Sequence, residues 1–333
     1  MKSRYPFVQT LAALASLVLI ASTAPAATIE VLETFDYPGT GNLTFPQKIN
    51  DRGVIVGVFI DVNGVARGFF RSRNGQFSHP FVEPNDTGGV TQGRGINNFR
   101  KICGEYLNGT DGTFHGYFLS HQRFMNFDVP DATNTIPLGL NDASDFAGSA
   151  VLSDGSQQGF VSLDGDITTF AIPGATATLA YSLNSSNQVV GYYVDVDGVT
   201  THAYLRDNDG NLTFPIDATD STGTILFGNN DSNWAVGRYT DTAAVTHGLF
   251  FITPDDILSF DFPGSAGFTS LNGINEQGYI CGRYLDSAGI AHGFLARVNP
   301  NATGDGNGAR SYTFEVPAQQ RVQSAAMLAG PAY

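Results

Sequence analysis

An asparagine followed seven residues later by a glycine occurs six times along this chain: Asn50/Gly57, Asn97/Gly104, Asn141/Gly148, Asn184/Gly191, Asn230/Gly237 and Asn275/Gly282. Consecutive asparagines stand 47, 44, 43, 46 and 45 residues apart. A period near 45 residues held this long means that one supersecondary unit recurs, each copy completed by its neighbours rather than by itself. Any fold must accommodate six such units.

The most complete copy runs from Phe260 to Val298. A short strand ends in Gly273-Ile274-Asn275, and the turn Asn275-Glu276-Gln277-Gly278 has hairpin chemistry. Strand two, Tyr279-Ile280-Cys281-Gly282, carries the repeat glycine, whose presence inside a strand implies close backbone approach at that layer. The turn Asp286-Ser287-Ala288-Gly289 leads to His292-Gly293-Phe294 in strand three. Other copies show His115-Gly116-Tyr117, His202-Ala203-Tyr204 and His247-Gly248-Leu249, while copies one and three have Arg67 and Gln158 in place of the histidine. Strand four ends in Phe-Asp-x-Pro at Phe127–Pro130 and Phe260–Pro263, with looser versions at Phe81–Pro84 and Phe170–Pro173. Proline at that position suits an outer edge.

Four short strands per unit, with no helical period, predict an all-β, six-bladed β-propeller of four-stranded blades spanning residues 27–298. A β-helix would repeat at much shorter intervals. Glu33 to Pro38 reads as a strand four with no strands before it, so it can complete the last blade and remove the open edges. Tyr312 to Pro317, within a C-terminal segment 299–333, has the same pattern, and the sequence leaves the choice open; Ala318 to Tyr333 reads as a mobile tail.

The pattern G-I-N-x-x-G-x-I-x-G-x-Y followed by H-G-F resembles the bacterial extracellular HAF-repeat family over about Phe35 to Val298. The resemblance implies a secreted bacterial repeat protein and carries no general activity with it. Copy three departs most, since Ala147-Gly148-Ser149-Ala150 lacks the usual aromatic.

Residues 1–26 read as a secretory signal: Lys2 and Arg4, an apolar run from Leu11 to Ile20, then Ala24-Pro25-Ala26. The expected product is a secreted or periplasmic monomer without a membrane span. Without Lys2 and Arg4 the chain keeps 15 basic against 31 acidic residues, a formal charge of −16, which disfavours nucleic acid as a partner. Cys103 and Cys281 occupy a slot held by valine or alanine in the other copies, so they read as small buried apolar residues, and copies two and six are too far apart for a disulfide.

What recurs in every copy is explained by the copy; what differs at one slot is free for function. Three residues before each repeat asparagine stand Gln47, Arg94, Leu138, Tyr181, Phe227 and Asn272, and one residue after each repeat glycine stand Val58, Glu105, Ser149, Tyr192, Arg238 and Arg283. Lys48 replaces a small residue at its own slot. From these, Gln47, Lys48, Arg94, Tyr181, Tyr192, Asn272 and Arg283 are the candidate ligand contacts at the channel end, where a propeller ordinarily binds. The histidines follow Asp195, Asp241 and Asp286 across a turn, which suggests an Asp–His hydrogen bond within each blade; the sharper alternative is a rim of Asp and His holding a metal or a general base. Asp195, Asp197, Asp207 and Asp209 partly match calcium loops but lack the further spaced ligands, so no cofactor is expected beyond weak Ca²⁺. There is no G-x-S-x-G, H-E-x-x-H or P-loop signature. A binding or interaction module with a protein or glycan partner is therefore the leading expectation. The alternatives are a hydrolase or lyase on an extracellular polymer, using Glu105, His115, His202, His247 and Arg238 for acid–base chemistry and charge stabilisation, and a structural role in the envelope or matrix.

Overall fold

The computed structural model describes residues 28–39, 41, 43–253 and 256–299, with short strand pieces at 302–304, 310–312 and 321–322. Residues 1–27, which include the expected signal, and most of the C-terminal stretch, including 313–317, lie outside the described residues. Among the described residues every regular element is a β-strand.

The chain opens with β1 (Thr28–Phe35). Antiparallel meanders follow, one per sequence copy. The first is β2 (Leu43–Ile49), β3 (Ile55–Ile60) and β4 (Ala66–Arg71). The second is β5 (Thr91–Ile96), β6 (Ile102–Asn108), β7 (Thr113–Ser120) and β8 (Arg123–Phe127). Next come β9 (Ala132–Leu140), β10 (Phe146–Leu152), β11 (Gln157–Leu163) and β12 (Asp166–Phe170). Then follow β13 (Ala177–Leu183), β14 (Val189–Val194), β15 (Thr201–Arg206) and β16 (Leu212–Ile216). After these run β17 (Ser221–Asn229), β18 (Ala235–Asp241), β19 (Thr246–Thr253) and β20 (Asp256–Phe260). The last comprises β21 (Thr269–Ile274), β22 (Tyr279–Leu285) and β23 (Ala291–Asn299). Single parallel contacts, Gln157 beside Ala177 and Thr201 beside Gly223, join the meanders from β9 to β20 into one longer sheet.

The first meander corrects the expectation of four strands in each copy: β2–β4 is a three-stranded sheet. Its outer position is held by isolated bridges, Arg71 to Phe77 and Gly68 to Phe81, on either side of Pro80, which has no N–H to give a ladder. At the other end the open choice of closing strand is resolved. β1 pairs antiparallel with β23, from Thr28 beside Asn299 to Phe35 beside Gly293, and so takes the strand-four position of the last copy. A bidentate pair from Arg71 to Glu33, at 3.0 and 2.8 Å, ties that strand to β4.

The repeat asparagines do two jobs. Each Oδ1 accepts N–H groups of its own turn, as Asn230 does from Ser232 and Trp234. Each Nδ2 donates to the main-chain carbonyl of the next copy's asparagine, from Asn50 to Asn97 and onward through Asn141, Asn184, Asn230 and Asn275, which donates back to Asn50. The six bonds, 2.9–3.3 Å long, form a closed cycle that brings the first and last copies together. A second set of links uses Thr44, Thr91, Thr135, Thr178, Thr224 and Thr269, six residues ahead of each asparagine and buried. Each Oγ1 accepts, at 2.9–3.1 Å, a main-chain N–H from the segment that follows a strand four. Apolar faces of successive meanders pack between these links: Trp234, Val236 and Phe250 of one meet Leu271, Ile280 and Phe294 of the next.

An aspartate at a repeat asparagine would keep the turn acceptor but lose the N–H₂ donor and set a carboxylate against a buried carbonyl. Asn230→Asp is expected to destabilise the protein by about 3 kcal/mol, and Asn230→Ala by a comparable amount, in urea titrations followed by tryptophan fluorescence. An unchanged midpoint in Asn230→Asp would show that the cycle does not hold the copies together.

Candidate functional site

Each repeat glycine sits where an added Cβ would lie 1.9–2.5 Å from a carbonyl oxygen of the neighbouring inner strand, for example Gly237 against Ile225 and Gly104 against Gln92. No other residue fits so close to a main-chain oxygen. Beside that contact every inner strand bulges. The register skips Gln47, Arg94, Leu138, Tyr181, Phe227 and Asn272, the residues three before each repeat asparagine. A bulged residue leaves the ladder and its side chain is re-aimed. Here five of the six residues, all but Leu138, line one cavity of about 120 Å³.

The slot after the glycine supplies three more, and Ile225 completes the lining. Tyr192, Arg238 and Arg283 join Gln47, Arg94, Tyr181, Phe227 and Asn272 there. The structure thus gathers all but one of the candidate ligand contacts around a single space. The exception is Lys48. Its neighbours at the same slot are Gly95, Gly139, Ser182, Gly228 and Gly273, and these are packed so tightly that a Cβ on Gly273 would meet the Lys48 Cα at 2.8 Å. The long Lys48 side chain reaches across the channel, donating from Nζ to the Phe227 carbonyl and lying 5.9 Å from the Tyr181 ring centre. Burial, with Arg94 nearby, pulls the Lys48 ammonium down to about 8. Cys103 and Cys281 are buried free thiols near this lysine, pushed up to about 12 by burial.

The charges in the cavity are not equivalent. Arg94 forks onto Glu105, with Nη2 at 2.6 Å and Nε at 2.9 and 3.1 Å from the carboxylate. Burial opposes the Arg94 charge, but Glu105 outweighs it and raises the guanidinium's affinity for its proton. Arg238 lies 5.4 and 5.5 Å from the ring centres of Phe227 and Phe268; Arg283 lies 5.0 and 5.2 Å from those of Phe45 and Phe268. Among the described residues no carboxylate pairs with either. Burial, then the charges of Arg238 and Arg94, pull Arg283 down to about 9; burial lowers Arg238 as well.

The acid–base set considered from the sequence is not assembled. Glu105 is buried with both oxygens held by Arg94, and the cavity that Arg238 lines contains neither Glu105 nor a histidine. The histidines stand apart, each between two aspartates. His115, His202, His247 and His292 meet Asp128, Asp217, Asp261 and Asp36 through Nδ1 at 2.8–2.9 Å, and the turn aspartates Asp111, Asp195, Asp241 and Asp286 through Nε2 at 3.3–3.9 Å. Each also stacks on a tyrosine, as His247 does on Tyr239. The shorter bond, to the aspartate that directly follows the strand-four position, was missed from the sequence. Its signal was there: copies one and three lack the histidine and also lack that aspartate, with Val82 and Ala171 in its place.

The calcium-loop candidates are occupied by their own turns. Asp195 accepts from the Val196 N–H, Asp197 from Val199 and Thr200, and Asp207 from Asn211; Asp209 lies in the same turn as Asp207. Among the described residues no group of three or more His, Cys, Asp or Glu side chains gathers as a metal site. At the asparagine end, Asp142, Asp231, Glu276 and Asp51 accept main-chain N–H groups from adjacent copies around a space of about 110 Å³. Burial, then the neighbouring carboxylates, push Glu276 up to about 6. One end of the channel is therefore acidic and the other basic.

No protein-family model and no curated protein matches this chain. Among solved structures it is similar to the Aleuria aurantia lectin, in complex with Fucα1-6GlcNAc, with a TM-score of 0.51 and 11% identity over 80% of this chain and 98% of the lectin. That lectin is described as a six-bladed β-propeller with its own mode of fucose recognition. The BP39L lectin of Burkholderia pseudomallei aligns at 0.43 with 11% identity, over 78% of this chain and 83% of that one. TolB from Acinetobacter baumannii aligns at 0.46 with 10% identity, over 77% of this chain and 56% of that one. The first likeness supports an all-β, propeller-like fold. Among the described residues no helix is long and apolar enough to cross a membrane.

The histidine pairs give stability a pH profile. For His202 and His247 the bond to Asp217 or Asp261 is the largest influence and raises the imidazole above 6.5; for His115 and His292 burial is the largest and opposes, but the aspartates together outweigh it. A raised histidine contributes stability fully below pH 6.5 and loses it as pH climbs through the folded-state value. The melting temperature is expected to fall from pH 6 to pH 8.5, and to fall less in His202→Gln. Equal slopes in the two proteins would remove the ion pair from the account.

Proposed function

We propose that the chain is a secreted, six-bladed β-propeller of four-stranded blades that acts as a carbohydrate-binding module, holding its ligand at the basic end of the central channel. The carrying observation is the convergence of bulge residues. Positions that the repeat leaves free, Gln47, Arg94, Tyr181 and Asn272, line one cavity with Tyr192, Arg238 and Arg283. Aromatic faces beside amides and guanidiniums are the chemistry that packs on a sugar ring and bonds its hydroxyls. The closed asparagine cycle and the return of β1 to the last copy support six blades. In this reading the first blade has lost its regular fourth strand. The likeness to a fucose-binding lectin supports a glycan as the ligand class. The leader-like residues 1–26 and the resemblance to HAF repeats support export. A hydrolase or lyase reading gains no support from Glu105, whose oxygens are both committed to Arg94.

A cavity of about 120 Å³ is well below the roughly 300–1,000 Å³ of sites that enclose a whole drug-sized molecule, so it suits one end of a glycan. Screening the protein on a glycan array, then measuring each hit by calorimetry, is expected to find a ligand whose affinity drops tenfold or more in Tyr181→Ala, a loss of about 1.4 kcal/mol. Hits that survive Tyr181→Ala and Tyr192→Ala together would move the site elsewhere. An array without hits would end the glycan reading.

A further inference from the structure

The molecule is strongly acidic, with 31 acidic and 17 basic residues, yet its channel cavity holds two guanidiniums that no carboxylate answers among the described residues. Acidic side chains are plentiful elsewhere, and Arg94 in the same cavity has one. The lack of a partner at Arg238 and Arg283 therefore marks these two positions out. Both are packed against Phe268, so they are held near each other, and the Arg238 charge helps to lower Arg283. The Arg283 Nε is buried and has no hydrogen-bond partner. Taking a charge out of water without a counter-charge is costly, and two together cost more. Such a pair is stable in an otherwise well-packed protein when something else supplies the negative charge.

We propose that the cavity binds the carboxylate of an acidic sugar, seated between Arg238 and Arg283. This rests on the glycan reading above and narrows it. Planar guanidinium forks match a carboxylate edge to edge, and the pair sits in a space sized for one substituent rather than a whole ring. Tyr181 and Tyr192 offer aromatic surface to the sugar, and Gln47 offers an amide to its hydroxyls. Lys48, 5.9 Å from the Tyr181 ring centre, adds a third cation nearby, while Asp51, Asp142, Asp231 and Glu276 gather at the other end, around the asparagine cycle. An anion entering from the basic side meets attraction in the cavity itself, and specificity comes from the ring stacking around it.

Calorimetry with galacturonate, its neutral methyl ester, acetate and inorganic phosphate tests the assignment. Galacturonate is expected to bind at least tenfold tighter than the ester, and that preference is expected to vanish in Arg283→Gln and in Arg238→Gln. Without ligand, Arg283→Gln is expected to melt no lower than the parent, because it removes a charge that lacks a partner; a large drop would make Arg283 a structural cation and overturn the proposal. Galacturonate and ester binding alike would overturn it while leaving the glycan reading intact. Phosphate displacing galacturonate at lower concentration would assign the site to a phosphate instead. If acetate binds but neither sugar does, both the acidic-sugar proposal and the glycan reading fall.

Discussion

The hydrogen bond from each repeat asparagine to the next is the constraint on which the rest depends. A side-chain amide is needed because it accepts and donates at once: Oδ1 caps the copy's own turn and Nδ2 reaches the neighbouring carbonyl. Serine or aspartate at this position could do the first but not span to the second. Six identical links closing on themselves fix the angle between copies, so the inner strands must face a common axis. The threonines six residues earlier repeat the logic at the far end of the same strand, where an Oγ1 accepts an N–H from the segment after a strand four. Between these two levels the apolar faces have no freedom to slide.

Within that frame the repeat glycine creates a place for variety. Its missing side chain lets a carbonyl of the inner strand lean in, the strand bulges, and the next residue turns out of the ladder toward the channel. The bulge is the same in each copy, but the residue it presents is Gln47, Arg94, Leu138, Tyr181, Phe227 or Asn272. A symmetric backbone thereby supports an asymmetric cavity. Lys48 breaks the symmetry once more, extending across a layer where its equivalents are small.

Much of this was legible in the residues. The period and the turn chemistry gave the strands, the in-strand glycine announced close backbone approach, and most of the cavity lining lies at the variable slots. Other features were not legible because they depend on contacts between distant copies. The choice of β1 as closing strand turns on Asp36 meeting His292 and Glu33 meeting Arg71, pairs separated by most of the chain or by a whole meander. The failure of Phe81–Pro84 to form a strand follows from Pro80 just ahead of it, outside the motif. The aspartate of Phe-Asp-x-Pro was read as part of an edge pattern, although Asp36, Asp128 and Asp261 are each the nearer partner of a histidine. The missing counter-charge at Arg283 could not be read at all, since sequence shows neighbours along the chain and not across a channel.

The account stands on one claim, that a six-fold backbone aims its variable residues at a single anion-accepting cavity. A crystal structure of the protein grown with galacturonate tests it most directly. The claim predicts electron density for a carboxylate between the guanidiniums of Arg238 and Arg283, with the sugar ring against Tyr181 or Tyr192. Arginines turned away from the cavity, or sugar density elsewhere on the molecule with the cavity unaltered, would contradict it.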